Sequence, residues 1–509
     1  MNKIPDHTES QQGKKVKPLD SKSFFRIRWA SIAIISAIIT LSGWALSSPI
    51  GSSPDDDFHL PSIWCGQGFR DGICEQTNET DLAKVPVTTF ANSGCFAFNN
   101  ELSGKCAYDP TLQAHPRVNL LTDLYPPVYY WAMSWFAGAD ISVSTITMRL
   151  ANSVFFVLAL ALTVIALPIH LRRVPLLTLM ITSVPLGVFL IASTNPSGWT
   201  YFSLVLFFSL FTGFLTSEEI KSKWILGVLA AIFSVAASGT RADASVFVVA
   251  AIALAFLTTF SRRVFSAINV GLSLLLIAIA TYFYFSIASG LGVVSGSLGN
   301  SDSNPSTVPS FFVTMAGIPN LWVGVFGVSG IGWLDTPMPA IVWAITLGVF
   351  TSLMFFSVRW FSVKQGLAVG ASLFLLTAVP LFILIQSGLE VGQQVQPRYL
   401  LPLIAFLAAS ALYRISAESG MVLTRAQIFI VGVGLFVANG IALHLNTRRY
   451  TTGMDVMGVN LDEGIEWWWD GFLFSPNTVW LIATLGSGLL ILSVWKLRNE
   501  LGLPVDKSK

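Results

Sequence analysis

Long blocks of apolar residues recur along the whole chain of 509 residues. A helix needs roughly 20 apolar residues to cross a hydrocarbon core of about 30 Å, because the bilayer interior has no water to satisfy exposed backbone groups. Apolar residues make up 53% of the chain and charged residues 11%, whereas charged residues are about 25% of a typical soluble domain. The sequence therefore predicts an all-α integral membrane protein.

Twelve of these blocks are long enough to be predicted as transmembrane helices. They lie at residues 29–50, 144–170, 174–194, 198–216, 224–239, 243–260, 264–288, 339–357, 365–386, 398–413, 426–445 and 477–495. The first block is too long for a removable signal peptide and lacks a small-residue cleavage pattern, so we expect it to be retained. A further apolar stretch at 311–331 is predicted to be re-entrant or interfacial, because counting it as a span would reverse the sidedness of every later loop.

Basic residues indicate which ends of the predicted helices face the cytoplasm, since cytoplasmic loops are enriched in Lys and Arg. Alternate loops carry Arg172/Arg173, Lys221/Lys223, Arg262/Arg263, Arg359/Lys364, Arg414/Arg425 and Lys496/Arg498, all on one side. We therefore predict a cell-membrane protein with both termini in the cytoplasm. The predicted parts are a basic tail (1–28), the first span (29–50), an external region (51–143), spans two to seven (144–288), an external loop (289–338), spans eight to eleven (339–445), an external loop (446–476), the last span (477–495) and a tail (496–509).

All four cysteines, Cys65, Cys74, Cys95 and Cys106, fall in the first external region. Disulfides form in oxidising compartments outside the cytoplasm, so we predict two bridges, for which three connectivities are possible. A zinc site is the alternative, but the spacing contains no C-x-x-C pair and no regularly placed His.

Three adjacent carboxylates follow the first predicted span, in the order Ser52-Ser53-Pro54-Asp55-Asp56-Asp57-Phe58-His59. Neighbouring carboxylates repel one another and favour a bound proton or cation. Asp55 and Asp56 are therefore candidates for a general base acting on an acceptor hydroxyl, or for ligands of a divalent cation such as Mg or Mn. Asp57 and His59 are candidate substrate contacts. An acidic turn exposed to solvent is the alternative.

Aromatic and basic residues accompany the carboxylates at the same predicted membrane face. Tyr125 and Tyr129, in the segment Tyr125-Pro126-Pro127-Val128-Tyr129-Tyr130-Trp131, are candidate substrate contacts, although an aromatic belt at the membrane surface has the same composition. Arg241 and Arg398 lie at the external ends of predicted spans, where a guanidinium suits a lipid phosphate or pyrophosphate. The alternative for each arginine is structural, either an internal ion pair such as Arg241 with Asp243 or contact with lipid head groups.

The order of these motifs resembles a family of bacterial multi-pass membrane proteins of undetermined function, related to the C-type (GT-C) glycosyltransferases. The resemblance covers most of residues 29–414. It rests on Pro54-Asp55-Asp56 with His59, Tyr125-Pro126-Pro127-Val128-Tyr129-Tyr130, Asn195-Pro196-Ser197-Gly198, Gly332-Trp333-Leu334-Asp335-Thr336-Pro337 and Arg398-Tyr399-Leu400-Leu401-Pro402. It implies a GT-C-like fold in which Asp55 or Asp56 serves as base or metal ligand. It also implies a polyprenyl-phosphate sugar donor and a cell-envelope glycan or protein as acceptor.

The predicted function is therefore a membrane-embedded glycosyltransferase acting on the outer membrane face. The sequence has no Walker-type loop and no dinucleotide fingerprint, so we expect no nucleotide cofactor, and the net charge of +2 does not suggest a nucleic-acid partner. A transporter or flippase of lipid-linked saccharides is one alternative, although few acidic residues are predicted at mid-membrane. A non-catalytic membrane protein of envelope assembly is the other.

Overall fold

The computed structural model describes residues 21–106, 108, 111–288, 311–358, 362–392, 395–413 and 423–503. The helices are α1 (Ser21–Leu46), α2 (Asp56–Trp64), α3 (Thr88–Ala91), α4 (Ser93–Phe96), α5 (Asn119–Thr122), α6 (Val128–Ser134), α7 (Ile141–Ala166), α8 (Arg173–Thr182), α9 (Leu186–Ile191), α10 (Pro196–Thr216), α11 (Ile220–Ser238), α12 (Ala242–Thr259), α13 (Ala267–Phe285), α14 (Phe311–Gly324), α15 (Ala340–Val358), α16 (Val363–Ser387), α17 (Pro397–Leu412), α18 (Arg425–Thr451) and α19 (Pro476–Lys496). A short 3₁₀ helix spans Arg262–Phe265.

Ten of the described helices are long and apolar enough to cross a membrane, namely α1, α7, α10, α11, α12, α13, α15, α16, α18 and α19. The prediction of a multi-pass, helical membrane protein is therefore confirmed. Two of the twelve predicted spans have a different form. The segment at 174–194 is divided into α8 and α9 at Pro185, which has no N–H to continue the helix, and the segment at 398–413 is the 16-residue helix α17.

Two proline-initiated helices, α10 and α17, form the centre of the bundle. Nearly every residue of both is buried, as expected of helices that are apolar on all sides. Helix α10 packs against α7, α8, α9, α11, α12 and α17. Helix α1 packs mainly along α19, and Gly43 of α1 allows this close approach because a side chain there would overlap Ala483.

Basic side chains at one end of the bundle contact neighbouring segments of the chain. Arg26 pairs with Glu500 at 2.8 Å, Arg172 donates to the Glu500 carbonyl at 3.0 Å, and Arg263 pairs with Glu218 at 2.9 Å. We call this the basic end, and the opposite end, which carries the Asp55 turn, the site end. The predicted basic residues Arg359 and Arg414, and the segments 1–20, 289–310 and 504–509, lie outside the described residues.

The apolar stretch at 311–331 begins with α14, a helix of 14 residues that is too short to count among the spans. Trp322 near its end donates to the carbonyl of Leu376, halfway along α16, at 3.3 Å. The chain then returns to the site end, where Trp333 donates to the Gly51 carbonyl at 2.8 Å. This path is the one expected of a re-entrant segment, which enters and leaves the bundle at the same end. The re-entrant character of residues 311–331 remains a prediction.

A small sheet and two disulfides build the layer at the site end. Strands β1 (Glu75–Gln76), β2 (Ala83–Pro86) and β3 (Leu112–His115) are antiparallel in the order β1-β2-β3, with Ala83 opposite His115. Cys65 pairs with Cys74 and Cys95 with Cys106, with Cα–Cα distances of 5.2 and 6.1 Å. The predicted pair of disulfides is thus confirmed, with the sequential connectivity and without the zinc alternative.

A buried ion pair ties this layer to the bundle. Arg449, at the end of α18, contacts Asp335 at 2.9 Å, and the two side chains are 0% and 3% exposed. Arg449 also donates to the carbonyls of Phe96, Asn99 and Leu102, in the loop that the Cys95–Cys106 bridge closes. The neighbouring Gly332 has φ +62° and lies against the Tyr450 hydroxyl, so only glycine fits there.

Candidate functional site

Asp55 occupies a tight turn between α1 and α2. Its backbone is left-handed, with φ 59° and ψ 23°, a conformation that Asp tolerates better than most residues. Its side chain is 34% exposed and forms an ion pair with Arg398 at the start of α17. Burial, the largest single effect, opposes ionisation of Asp55, but the attraction and hydrogen bond of Arg398, together with the attraction of His59 and Arg241, outweigh it and lower the pKa of the carboxyl. Asp55 is therefore an accessible, ionised carboxylate.

Two buried arginines lie beside this carboxylate and share one aromatic ring. The Cζ atoms of Arg241 and Arg398 lie 4.5 and 4.9 Å from the ring centroid of Tyr399. Arg241 makes two hydrogen bonds to Asp243, at 2.9 and 3.1 Å, and Arg398 donates to the Tyr399 hydroxyl at 2.9 Å. Nη1 of Arg241 and both Nε and Nη1 of Arg398 are buried and have no hydrogen-bond partner among the described residues. Donors of this kind suit an anion.

The predicted aromatic contact Tyr125 lies next to these arginines. Its backbone is fixed by two hydrogen bonds of 2.8 Å with the Asn119 side chain, and its ring centroid is 5.8 Å from Cζ of Arg241. His59 packs edge-on against the Tyr125 ring, at 5.3 Å, and its Nδ1 lies 2.9 Å from the Tyr130 hydroxyl. Burial lowers the pKa of His59 to about 3, so the imidazole is neutral at neutral pH. Asp55, His59, Tyr125, Arg241 and Arg398 thus form one cluster, which we call the arginine site.

Asp56 differs from its neighbour because it is fully buried. Its carboxyl accepts hydrogen bonds from the backbone N–H of Ser53 at 3.0 Å and from the hydroxyl of Thr194 at 3.3 Å. Burial raises the pKa of Asp56 to about 7, against the opposing attraction of Arg149. The predicted catalytic role of Asp56 is not supported by this position, because both carboxyl oxygens already accept hydrogen bonds from within the protein. Asp56 instead holds the turn that presents Asp55.

Asp57 and Tyr129, two further predicted substrate contacts, make their main contacts with residues outside the arginine site. Asp57 forms an ion pair with the largely exposed Arg117. Tyr129 is buried and packs edge-on against Trp199, with ring centroids 5.7 Å apart. Their roles in substrate binding remain predictions without support from this geometry.

The predicted divalent cation does not fit these residues. The three carboxylates have separate partners, which are Arg398 for Asp55, Ser53 and Thr194 for Asp56, and Arg117 for Asp57. Within the described ranges, no three His, Cys, Asp or Glu side chains are grouped closely enough to hold a metal ion. The reaction proposed below therefore uses no Mg or Mn at Asp55 and Asp56.

The sequence did not identify Arg149, a buried arginine that stabilises the chain just before the Asp55 turn. This residue of α7 is 1% exposed and donates to the carbonyls of Ala45, Ser48 and Pro49. These carbonyls belong to the last turn of α1 and the segment directly after it, so Arg149 fixes the direction in which the chain enters the acidic turn. An arginine inside a predicted span was the available signal, since such charges are costly in a membrane.

Replacing Asp56 with Asn should change how stability depends on pH. The pKa of Asp56 rises from 3.8 to about 7 on folding, so its contribution is fully present below pH 4 and is lost as pH rises towards 7. The pKa of His59 falls from 6.5 to about 3, so its contribution is present above pH 6.5 and is lost as pH falls. The two slopes, each about 1 kcal/mol per pH unit, nearly cancel in the wild type.

Asp56→Asn removes the Asp56 slope and leaves the others, so the variant should gain stability relative to wild type as pH rises from 4 to 7. Thermal unfolding in detergent at several pH values measures this difference. Asp71→Asn, at an exposed position of the same layer, is the control. A difference between Asp56→Asn and wild type that stays constant with pH would contradict the assignment.

A family model described as "Predicted membrane protein (DUF2142)" matches residues 38–407, which is 370 of the 509 residues. The match begins within α1 and ends within α17, so it contains every residue of the arginine site. No curated protein and no solved structure matches the chain. Since the family model covers well over half of the chain, the protein belongs to the DUF2142 family of membrane proteins.

Proposed function

We propose that this protein is a membrane-embedded glycosyltransferase that moves a sugar from a polyprenyl-phosphate donor to a cell-envelope glycan or protein on the outer membrane face. One observation carries the proposal. The accessible carboxylate of Asp55 adjoins two buried arginines whose three free nitrogens have no partner in the described part of the chain. Glycosyl transfer from a lipid phosphate needs a base for the acceptor and cations for the leaving group, and this cluster provides both.

In the proposed reaction the Asp55 carboxylate accepts the proton of an acceptor hydroxyl. The hydroxyl oxygen forms a bond to the anomeric carbon while the bond from that carbon to the donor phosphate oxygen breaks. The lipid phosphate leaves with the bonding electron pair, and Arg398 and Arg241 stabilise its charge. Attack opposite the leaving group inverts the configuration of the anomeric carbon.

The ion pair between Asp55 and Arg398 links donor binding to the strength of the base. Arg398 lowers the pKa of Asp55 and therefore makes it a weaker base. A phosphate bound at the free Nε and Nη1 of Arg398 neutralises part of that positive charge. Asp55 thus becomes more basic when the donor is in place.

We also propose the GT-C-like topology of twelve crossings, with both termini in the cytoplasm and the site end outside. The divided segment of α8 and α9 begins beside Arg172 at the basic end and ends beside Thr194, which bonds Asp56. Helix α17 begins with the Arg398–Asp55 pair and ends where the Tyr413 carbonyl accepts from Gln365, in the first turn of α16. Both segments therefore connect the two ends, and the basic residues favour a cytoplasmic basic end.

Transfer of radiolabelled sugar by the purified protein in liposomes tests the function. The donors are a panel of polyprenyl-phosphate sugars, and the acceptors are envelope glycans and proteins. Sugar incorporated into acceptor, with an equal amount of lipid phosphate released, is the expected result. No transfer from any donor, accompanied by movement of donor between leaflets, would favour the flippase instead, and neither activity would favour an assembly protein.

A further inference from the structure

Phe98 combines an exposed side chain with a strained backbone. Its φ of +63° lies in the left-handed region, where a bulky residue is a genuine outlier. The residue is 73% exposed, so burial of its ring does not offset this strain. Strain of this kind persists only where the surrounding structure fixes the backbone, and it is concentrated at active sites and ligand contacts. The conformation of Phe98 therefore points to a role in binding.

The buried ion pair of Arg449 and Asp335 fixes the backbone at Phe98. The N–H of Phe98 donates to the Asp335 carboxylate at 3.2 Å, and Arg449 donates to carbonyls on both sides of Phe98. Leu334, beside Asp335, is a second bulky residue with a left-handed backbone, at φ +61°. The ion pair thus holds two strained segments together and keeps the Phe98 ring at a defined place on the surface.

Phe98 and Trp333 form a pair of rings that we call the aromatic corner. Their centroids lie 5.4 Å apart with an angle of 67° between the ring planes, and Trp333 is partly exposed. The Trp333 indole donates to the Gly51 carbonyl at 2.8 Å, which sets the orientation of its ring. Gly51 precedes Asp55 by four residues, so their Cα atoms are at most about 14 Å apart. The aromatic corner therefore lies close to the proposed base.

Polar residues accompany the aromatic corner. Asn99 and Glu101, in the same loop as Phe98, are exposed. A carboxylate at this place disfavours insertion of the rings into the bilayer, where charges are costly. Two rings also offer at most about 500 Å² of surface, less than the roughly 800 Å² that each partner contributes to a stable protein interface. Aromatic faces with a few polar groups beside them suit a small ligand that has both apolar and hydroxyl surfaces, which describes a sugar ring.

We propose that the aromatic corner binds a sugar residue of the acceptor, so that the acceptor is a glycan rather than a protein. The inference rests on the proposed function, in which Asp55 accepts a proton from an acceptor hydroxyl. The C–H groups on one face of a pyranose pack against the negatively polarised face of Phe98 or Trp333. Its hydroxyls contact water and the side chains of Asn99 and Glu101. The next sugar of the same glycan then places its hydroxyl at Asp55.

Saturation-transfer NMR of the protein in nanodiscs tests the inference and requires neither donor nor sugar transfer. The probes are short, neutral oligosaccharides built from glucose, galactose, mannose or N-acetylglucosamine. Wild type should transfer magnetisation to the C–H groups of at least one of them. Phe98→Gly should weaken that binding roughly two- to tenfold, the effect of losing one aromatic contact. Phe69→Gly removes another exposed ring of the same layer and should leave the binding unchanged.

The midpoint of thermal unfolding separates a binding role of Phe98 from a structural one. Glycine adopts a positive φ without strain, so Phe98→Gly should unfold no earlier than wild type. A clear fall in its midpoint would assign the ring to the fold and overturn the inference. No transfer of magnetisation to any oligosaccharide, or equal transfer by Phe98→Gly, would also overturn it.

Sugar transfer provides a separate measurement. Phe98→Gly should raise the acceptor KM and leave kcat unchanged, because the ring binds the acceptor away from the reacting atoms. An unchanged KM would overturn the inference and leave the glycosyltransferase standing. Oligosaccharide binding by a protein that transfers no sugar would do the reverse, since it would support the glycan site and remove only the reaction.

Discussion

Replacing Asp55 with Asn is expected to slow sugar transfer by roughly 10²–10⁴-fold, the range attributed to a positioned general base. The amide has nearly the same shape and its oxygen still accepts from Arg398, but it cannot take a proton from the acceptor hydroxyl. The rate of transfer at saturating donor, measured in liposomes with wild type and variant at equal folded amounts, gives the size of the effect.

Asp71→Asn is the matched control for this measurement, because it makes the same chemical change at an exposed position of the same layer. Asp56→Asn distinguishes the contribution of Asp56 from that of Asp55. It should slow transfer less than Asp55→Asn, since Asp56 is fully buried. An Asp55→Asn protein that folds and keeps the wild-type rate would show that Asp55 is not the base.

Arg449→Met should destabilise the protein by about 3–5 kcal/mol, the usual effect of removing one partner from a buried ion pair. The substitution leaves the Asp335 charge in a site where its side chain is 3% exposed. It also removes the hydrogen bonds to the carbonyls of Phe96, Asn99 and Leu102. The midpoint of thermal unfolding in detergent measures the loss, and the layer at the site end should become accessible to protease first.

The exposed pair of Arg263 and Glu218 provides the comparison, because its side chains are 88% and 82% exposed. Arg263→Met should change stability by no more than about 1 kcal/mol. Adding Asp335→Asn to Arg449→Met should restore part of the loss, since it removes the unpaired charge. Equal stability of Arg449→Met and wild type would mean that the pair does not hold the layer in place.

Hydropathy alone was sufficient to predict ten of the membrane helices, because the length of an apolar segment determines whether a helix can cross a bilayer. It could not predict the division between α8 and α9, since one proline barely changes the average hydropathy of a segment. It also could not show that α17 is buried on all sides. Those features depend on packing between helices that are distant in the sequence.

The arginine site was largely predictable, because ionisable residues at the ends of apolar segments are costly and seldom accidental. The sequence could not distinguish among three adjacent acids. That distinction arises from the left-handed backbone at Asp55, which separates its side chain from that of Asp56. The ion pair between Asp335 and Arg449 could not be predicted from the sequence either, because 114 residues separate the two side chains along the chain.

The packing of α1 along α19 has a consequence for how the protein is made. Roughly 430 residues separate the two helices, so at about 5–20 residues per second the ribosome finishes α19 some 20–90 s after α1. During that interval the Gly43 face of α1 borders lipid or other helices rather than its final neighbour. Completion of this helix pair is therefore a late event of biogenesis, and the Gly43 face of α1 stays without its final neighbour until α19 has been made.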